Sequence, residues 1–191
     1  MTKLDQFLLQ MAGTSGVGKS ALAQQIASQT DAVVVDMDVI KSAALEAGTT
    51  WDMSGRVGYR ASHAVADSLL HQGLSVILDS PCRFDFIVVG GTELAAKHKI
   101  PYAFIECVLT DEDELKRRVL NRKRQRSQRL APDQAPTDAP TNAMVDETGN
   151  VILHKTKYPK SPWLQVDTSE SMEQILEESL AYLESIKIKY R

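Results

Sequence analysis

Little in this sequence offers a metal or disulfide framework. Its two cysteines, Cys82 and Cys107, lie far apart and form no ligand pair by spacing. Zinc-cluster and disulfide-scaffold classes fall away, and free thiols in a reducing compartment are expected. The histidines His63, His71, His98 and His154 show no metal-ligand spacing either; His63 and His71 fall on a helical stretch and read as packing or surface residues. No apolar run approaches the ~18 residues that suggest a membrane span. The first six residues, Met1 to Gln6, lack signal-peptide architecture, so a cytoplasmic location is expected. Positive charge is not in excess: the formal net charge is −3. The whole molecule is therefore no generic polyanion binder, and any phosphate-binding surface must be local.

What is present reads as one domain spanning residues 1–191, with 43% hydrophobic residues to fill its core. Apolar or β-branched runs at 7–12, 32–35, 75–78, 102–109 and 163–166 read as five buried strands. Helical spacing follows the first strand at 20–29 and recurs at 56–71, where Gly73 supplies the stop. Residues 93–98 look helical, although Gly90 and Gly91 interrupt the segment 84–98. A helix with Asp111 near its start carries Leu115, Val119 and Leu120, and a last one carries Met172, Ile175, Leu176, Ser179, Leu180 and Leu183. Residues 131–141, rich in Pro, Ala, Asp and Thr, read as a mobile loop or lid, and 150–158 as a short hairpin arm. Strands alternating with helices imply a parallel sheet covered on both faces.

Between the first strand and its helix lies Gly13-Thr14-Ser15-Gly16-Val17-Gly18-Lys19-Ser20, which fits the P-loop pattern in full. The glycines let the backbone wrap closely and aim N–H groups at phosphate oxygens, and the helix adds its positive end. Lys19 can reach the β and γ phosphates, and the Ser20 hydroxyl can ligate Mg²⁺. Asp79 ends the third strand at the edge where functional groups collect, placed to hold Mg²⁺ directly or through water. Asp36 and Asp38 leave the second strand at that same edge. Either can accept a proton from a substrate hydroxyl, and either can instead cap a helix. The densest positive charge runs from Lys116 to Arg129. Arg118 and Arg122 are four apart, hence on one helix face, where two guanidinium groups can neutralise a transferred phosphoryl group. Their position before the loop suits a lid, giving a basic lid helix and mobile segment at about 116–160. Trp51, Tyr59 and Arg60 fall where a substrate pocket can form, with core packing the expected role of Trp51 and Tyr59. Cys82 and Arg83 follow Asp79 closely, and either can line a pocket.

With these residues in place, the chain resembles the P-loop kinases grouped around the polynucleotide 5′-hydroxyl kinase domain, chloramphenicol phosphotransferase and the zeta-toxin kinases (an AAA_33-type ATP-binding domain). The anchors are the P-loop, Asp38-Val39-Ile40-Lys41, Val76-Ile77-Leu78-Asp79, and Glu114-Leu115 followed by Arg118 and Arg122. The resemblance implies a three-layer P-loop NTPase fold whose five-stranded parallel sheet has the order 2-3-1-4-5. It implies ATP as donor, Asp38 as base and Arg118 and Arg122 as lid arginines. It also places Asp167-Thr168 near the adenine, making Thr168 a nucleotide-binding residue. Lys41 stands where polynucleotide kinases often carry Arg, which weakens bidentate recognition of a nucleic-acid phosphate.

The expected function is transfer of the γ-phosphate of ATP to a hydroxyl of a small molecule. A polynucleotide 5′-hydroxyl kinase and a non-catalytic ATP-binding switch are the alternatives. A guanine-reading Asn-Lys-x-Asp stretch is absent, which counts against a GTPase. Ser80 follows Asp79 where a motor ATPase would carry a catalytic Glu.

Overall fold

A computed structural model describes residues 6–132, 134–140 and 155–190. Five strands, β1 (Leu8–Ala12), β2 (Val33–Asp36), β3 (Val76–Asp79), β4 (Tyr102–Val108) and β5 (Leu164–Asp167), form one sheet in the order β2-β3-β1-β4-β5. Every pairing is parallel. The expected order and parallel pairing are thus observed.

Alternation along the strands sorts side chains into two layers. Leu9, Met11, Ile77, Ile105 and Cys107 pack with Leu22 and Ile26 of α1 (Lys19–Thr30) and with Ile175 and Leu183 of α6 (Met172–Tyr190). Leu8, Val35, Val76 and Leu78 face Ala66 and Leu70 of α3 (Trp51–His71) and Leu94 and Ala95 of α4 (Asp85–His98). The central strand β1 is buried at all five positions, as a strand covered on both faces must be. Its one polar residue, Gln10, donates through Nε2 to the Leu78 carbonyl and the Ser80 hydroxyl, tying β1 to the turn after β3.

Four elements differ from the sequence reading. The first is α2 (Met37–Glu46), which follows β2 without a loop. Asp36 caps it, accepting from the Asp38 and Val39 N–H groups. The second, α3, begins five residues earlier than 56–71, because Thr50 caps it through the Met53 N–H. In the third, α4, the helix runs unbroken through Gly90 and Gly91. These glycines are packing solutions rather than breaks: a Cβ on Gly91 would stand 2.8 Å from the Tyr102 ring, and one on Gly90 3.2 Å from that of His63. The fourth, α5 (Glu112–Asn121), is capped by Asp111 through the Glu114 N–H and ends before Arg122, whose backbone is extended at φ −71 and ψ 148. The helix expected as a basic lid therefore stops at Asn121, and Arg122 shares no helix face with Arg118.

Of the 131–141 stretch, the described residues hold an isolated bridge between Ala131 and Gln134, and Asp138 pairs with Arg126 at 2.7 Å. The hairpin arm expected at 150–158 lies outside the described residues at 150–154, and 155–158 are irregular. Cys82 and Cys107 are free and buried. Among the described residues no helix is long and apolar enough to cross a membrane.

The two kinds of helix glycine carry opposite expectations. Gly91→Ala should lower stability by about 1–3 kcal/mol through overpacking against Tyr102. Gly55→Ala in α3, with nothing within 4 Å of the new Cβ, should raise it by roughly 0.5–1 kcal/mol. Urea unfolding of both variants measures the pair.

Candidate active site

The carboxyl edge of the sheet gathers the groups singled out above. Asp36 and Asp79 stand in register at the ends of neighbouring strands, and the loop after β1 rises beside them. Gly13, Gly16 and Gly18 have φ of 122, 95 and 99, values that side chains disfavour. A Cβ on Gly13 would run into the Cys107 carbonyl oxygen, and one on Gly16 into the Val119 side chain. The loop is thus held tightly between β4 and α5. Gly18 is the N-cap of α1 and supplies no side-chain hydrogen bond to it, so the first N–H groups of the helix remain for a ligand. Lys19 is buried, and its ammonium donates to the Thr14 carbonyl at 2.9 Å, folding back over the loop.

Asp79 lies beneath this loop, 4% exposed, and its Oδ2 has no hydrogen-bond partner. Burial pushes its pKa up, while the Lys19 charge and the Ser20 side chain oppose the shift. An orphaned carboxylate oxygen beside a P-loop serine fits a hard divalent ion. Among the described residues no group of three or more His, Cys, Asp or Glu side chains could hold a metal. An ion here would take its remaining ligands from phosphate oxygens and water, as Mg²⁺ does.

Arg118 and Arg122, expected as lid arginines, reach the loop by separate routes. Arg118 pairs with Glu114 at 2.7 Å and donates to the Thr168 hydroxyl and carbonyl at 3.2 and 2.9 Å. Thr168 is itself held by the Val108 carbonyl at the end of β4 and lies against Gly18. Arg122 donates to the Ser15 hydroxyl at 3.2 Å and to the Arg129 carbonyl at 3.2 Å. Proximity to the P-loop is therefore real for both, although the shared helix face is not.

Asp38 sits on the first turn of α2 and faces the segment that follows α5. Its carboxylate accepts from the Ser127 hydroxyl and from Gln128 Nε2, each at 3.1 Å. Gln125 Nε2 reaches Asp36 at 3.4 Å. Residues 125–128 thus lie across both carboxylates and meet α2 again through Ser42. Asp36 is committed to its cap. Burial, then the charges of Asp79 and Asp38, push its pKa up to about 6.

One cavity of about 780 Å³ joins these groups. Its walls carry eight basic and four acidic side chains, so the local field is positive although the chain is acidic. Trp51 and Tyr59, expected in the core, both line it, and Arg83 does too. Tyr59 also packs against the cluster holding Ile87 and Phe104. Cys82 is instead buried, with φ of 50, and its carbonyl accepts from the Lys157 N–H. Burial pushes its thiol up to about 12, which leaves it inert. Phe84 and Phe86, which sequence reasoning missed, complete an aromatic wall. Their signal was two aromatics spaced i,i+2 at the start of a helix, which alone does not separate a wall from a core.

The raised Asp36 pKa gives a pH test. Between about pH 4 and pH 6 the folded chain binds this proton more tightly than the unfolded chain, so its contribution to stability is lost as pH rises. Asp36→Asn keeps the cap and removes the charge. It should be more stable than the parent above pH 6 by about 1–2 kcal/mol, allowing for solvent screening, and lose that advantage near pH 4. Chemical denaturation at the two pH values reads the difference.

No curated protein matches the chain. Among solved structures it resembles a protein from Chloroflexus aurantiacus provisionally described as a kinase, with TM-score 0.66 and 21% identity over 93% of this chain and 98% of that one. It also resembles the Mycobacterium tuberculosis APS kinase in complex with AMPPNP and APS, at TM-score 0.62 and 20% identity over 94% and 98% of the two chains. A gluconokinase from Sinorhizobium meliloti follows at TM-score 0.57 and 17% identity, covering 97% and 95%. These likenesses show the fold. A family model described as AAA domain matches residues 8–146, most of the chain and all of the P-loop, Asp38, Asp79 and Arg118 positions just described. The chain belongs to this AAA domain family and has the fold of the P-loop kinases.

Proposed function

We propose that this protein is an ATP-dependent phosphotransferase that moves the γ-phosphate to a hydroxyl of a small molecule. The observation that carries the reading is a single cavity in which the P-loop and the Asp38 carboxylate face one another, with Arg118 and Arg122 at the P-loop side. A switch protein needs the P-loop; it does not need a carboxylate poised across the cavity from it. The likeness to kinases in fold, one of them solved with a nucleotide analogue and APS, supports the same reading.

In this account the backbone from Gly13 to Ser20 and the Lys19 ammonium hold the phosphate chain of ATP. Ser20 and Asp79 would hold Mg²⁺, which neutralises phosphate charge when bound. Asp38 accepts the proton of the acceptor hydroxyl as its oxygen attacks. Arg118 and Arg122 stabilise charge on the transferred group from the side of Thr168 and Ser15. Thr168 borders the nucleotide beside Gly18. Ser127 and Gln128 now occupy the Asp38 carboxylate, so residues 125–128 must shift before an acceptor hydroxyl reaches it.

A coupled ADP-release assay tests the proposal, with Mg-ATP against nucleosides, sugars, phenicol and aminoglycoside drugs, and 5′-hydroxyl oligonucleotides. Acceptor-stimulated release is expected from a small molecule. Stimulation by the oligonucleotides alone would replace the acceptor class, and ATP binding that no hydroxyl compound stimulates would move the reading to a switch.

A further inference from the structure

The cavity holds more positive charge than a nucleotide explains. Lys19, Arg118 and Arg122 are spoken for on the P-loop side, through Thr14, Thr168 and Ser15. Of the cavity's five other cations, three stand on the Asp38 side: Lys41 from α2, Arg83 from the turn after β3, and Arg129 from the segment after α5. None of these three has an ion-pair partner among the described residues. Burial brings Lys41 and Arg129 down to about 8 and about 10; Asp38 opposes the shift at Lys41, and the Arg83 charge lowers both. The one carboxylate in their midst is Asp38, and its oxygens accept from Ser127 and Gln128. Three desolvated cations around one carboxylate leave positive charge uncompensated, and an arriving anion relieves that cost.

Beside the cations runs an aromatic wall. Phe84 and Phe86 stack at 5.5 Å between centroids, and Tyr59 meets both edge-on at 5.9 and 5.4 Å. Phe86 is 53% exposed although it lines the cavity. On the far side Lys41 sits 3.3 Å above the Trp51 ring, so this charge is already oriented by an aromatic face. Large exposed rings beside concentrated charge mark a binding surface rather than a core.

We infer that the acceptor is a small hydroxyl compound carrying both an aromatic ring, laid on the Phe84–Phe86 wall, and an anionic group, held by Arg83 with Lys41 and Arg129. The inference rests on the phosphotransferase reading for the word acceptor, and on the cavity alone for the ligand class. A nucleoside phosphate and an aromatic hydroxy acid share this chemistry.

Calorimetric titration of the chain saturated with Mg²⁺ and a non-hydrolysable ATP analogue separates these sources and needs no turnover. The probes are adenosine 5′-monophosphate against adenosine, and 4-(hydroxymethyl)benzoate against its amide. The anionic member of at least one pair should bind tighter than its neutral partner by roughly 10- to 100-fold. Arg83→Gln should erase that preference and leave affinity for the ATP analogue within about twofold. Phe86→Ala, at an exposed position that leaves the core intact, should weaken the same probe by roughly tenfold. Equal binding of charged and neutral partners, no binding of any probe, or an Arg83→Gln defect confined to the ATP analogue would each overturn the inference. The two readings fail separately. A neutral hydroxyl compound that is phosphorylated without anionic preference sinks this inference alone. Selective anion binding with no phosphate transfer sinks the phosphotransferase reading alone.

Discussion

Replacing Lys19 with alanine should lower nucleotide turnover by roughly 10²–10³-fold, the scale for removing one preorganised donor from a developing oxyanion. The structure gives the loss a second component. Lys19 is the strongest influence favouring ionised Asp79, whose buried carboxyl already has a raised pKa. Without the ammonium, Asp79 holds its proton to higher pH, and its capacity for a divalent ion weakens in step. The defect should therefore deepen as pH falls, beyond what the parent shows over the same range. Folding should change little, since the side chain makes one hydrogen bond, to the Thr14 carbonyl of its own loop. A pH profile of kcat for both proteins, with far-UV circular dichroism as the folding control, checks this. A pH-independent defect would separate Lys19 from Asp79.

Asp38→Asn should lower kcat by about 10²–10⁴-fold, the range that a positioned general base supplies. The KM for ATP should stay near that of the parent, because Asp38 lies across the cavity from the P-loop. Asparagine keeps one oxygen to accept from Gln128 and turns its NH₂ toward the Ser127 hydroxyl oxygen, which can accept it, so residues 125–128 can still dock and the effect reports chiefly on proton transfer. The comparison with Asp36 settles which carboxylate acts. Asp36 caps α2 through two backbone N–H groups, and asparagine caps as well, so Asp36→Asn should keep kcat within about threefold of the parent. Reversal of the two effects would make Asp36 the base.

How much of this was legible depended on the kind of signal. The P-loop was legible because its chemistry is local: three glycines at positive φ and a lysine at fixed spacing form one turn. The strands were legible because most are short runs of β-branched or apolar residues, buried throughout in β1 and β3. The missed helix α2 begins at once after β2, and its start rests on Asp36, a residue that reads equally as catalytic or as a cap. Arg122 reads as one turn beyond Arg118, yet the chain becomes extended there and its guanidinium reaches Ser15 from outside the helix. Gly90 and Gly91 look like a helix break, and their reason lies in Tyr102 and His63, on other elements. The aromatic wall was the least legible part. Tyr59 and the Phe84–Phe86 pair come from elements separated by β3, and only the folded sheet sets them edge to face.

The central claim is that a phosphoryl group crosses the cavity from the P-loop side to the Asp38 side. The direct measurement is transfer of label from γ-labelled ATP to added anionic aromatic alcohols and neutral sugars, with the products separated and counted against ADP. The account predicts a labelled acceptor formed one-for-one with ADP, and its disappearance in Asp38→Asn while ATP still binds. ATP converted to ADP and free phosphate at the same rate with and without every acceptor would contradict it.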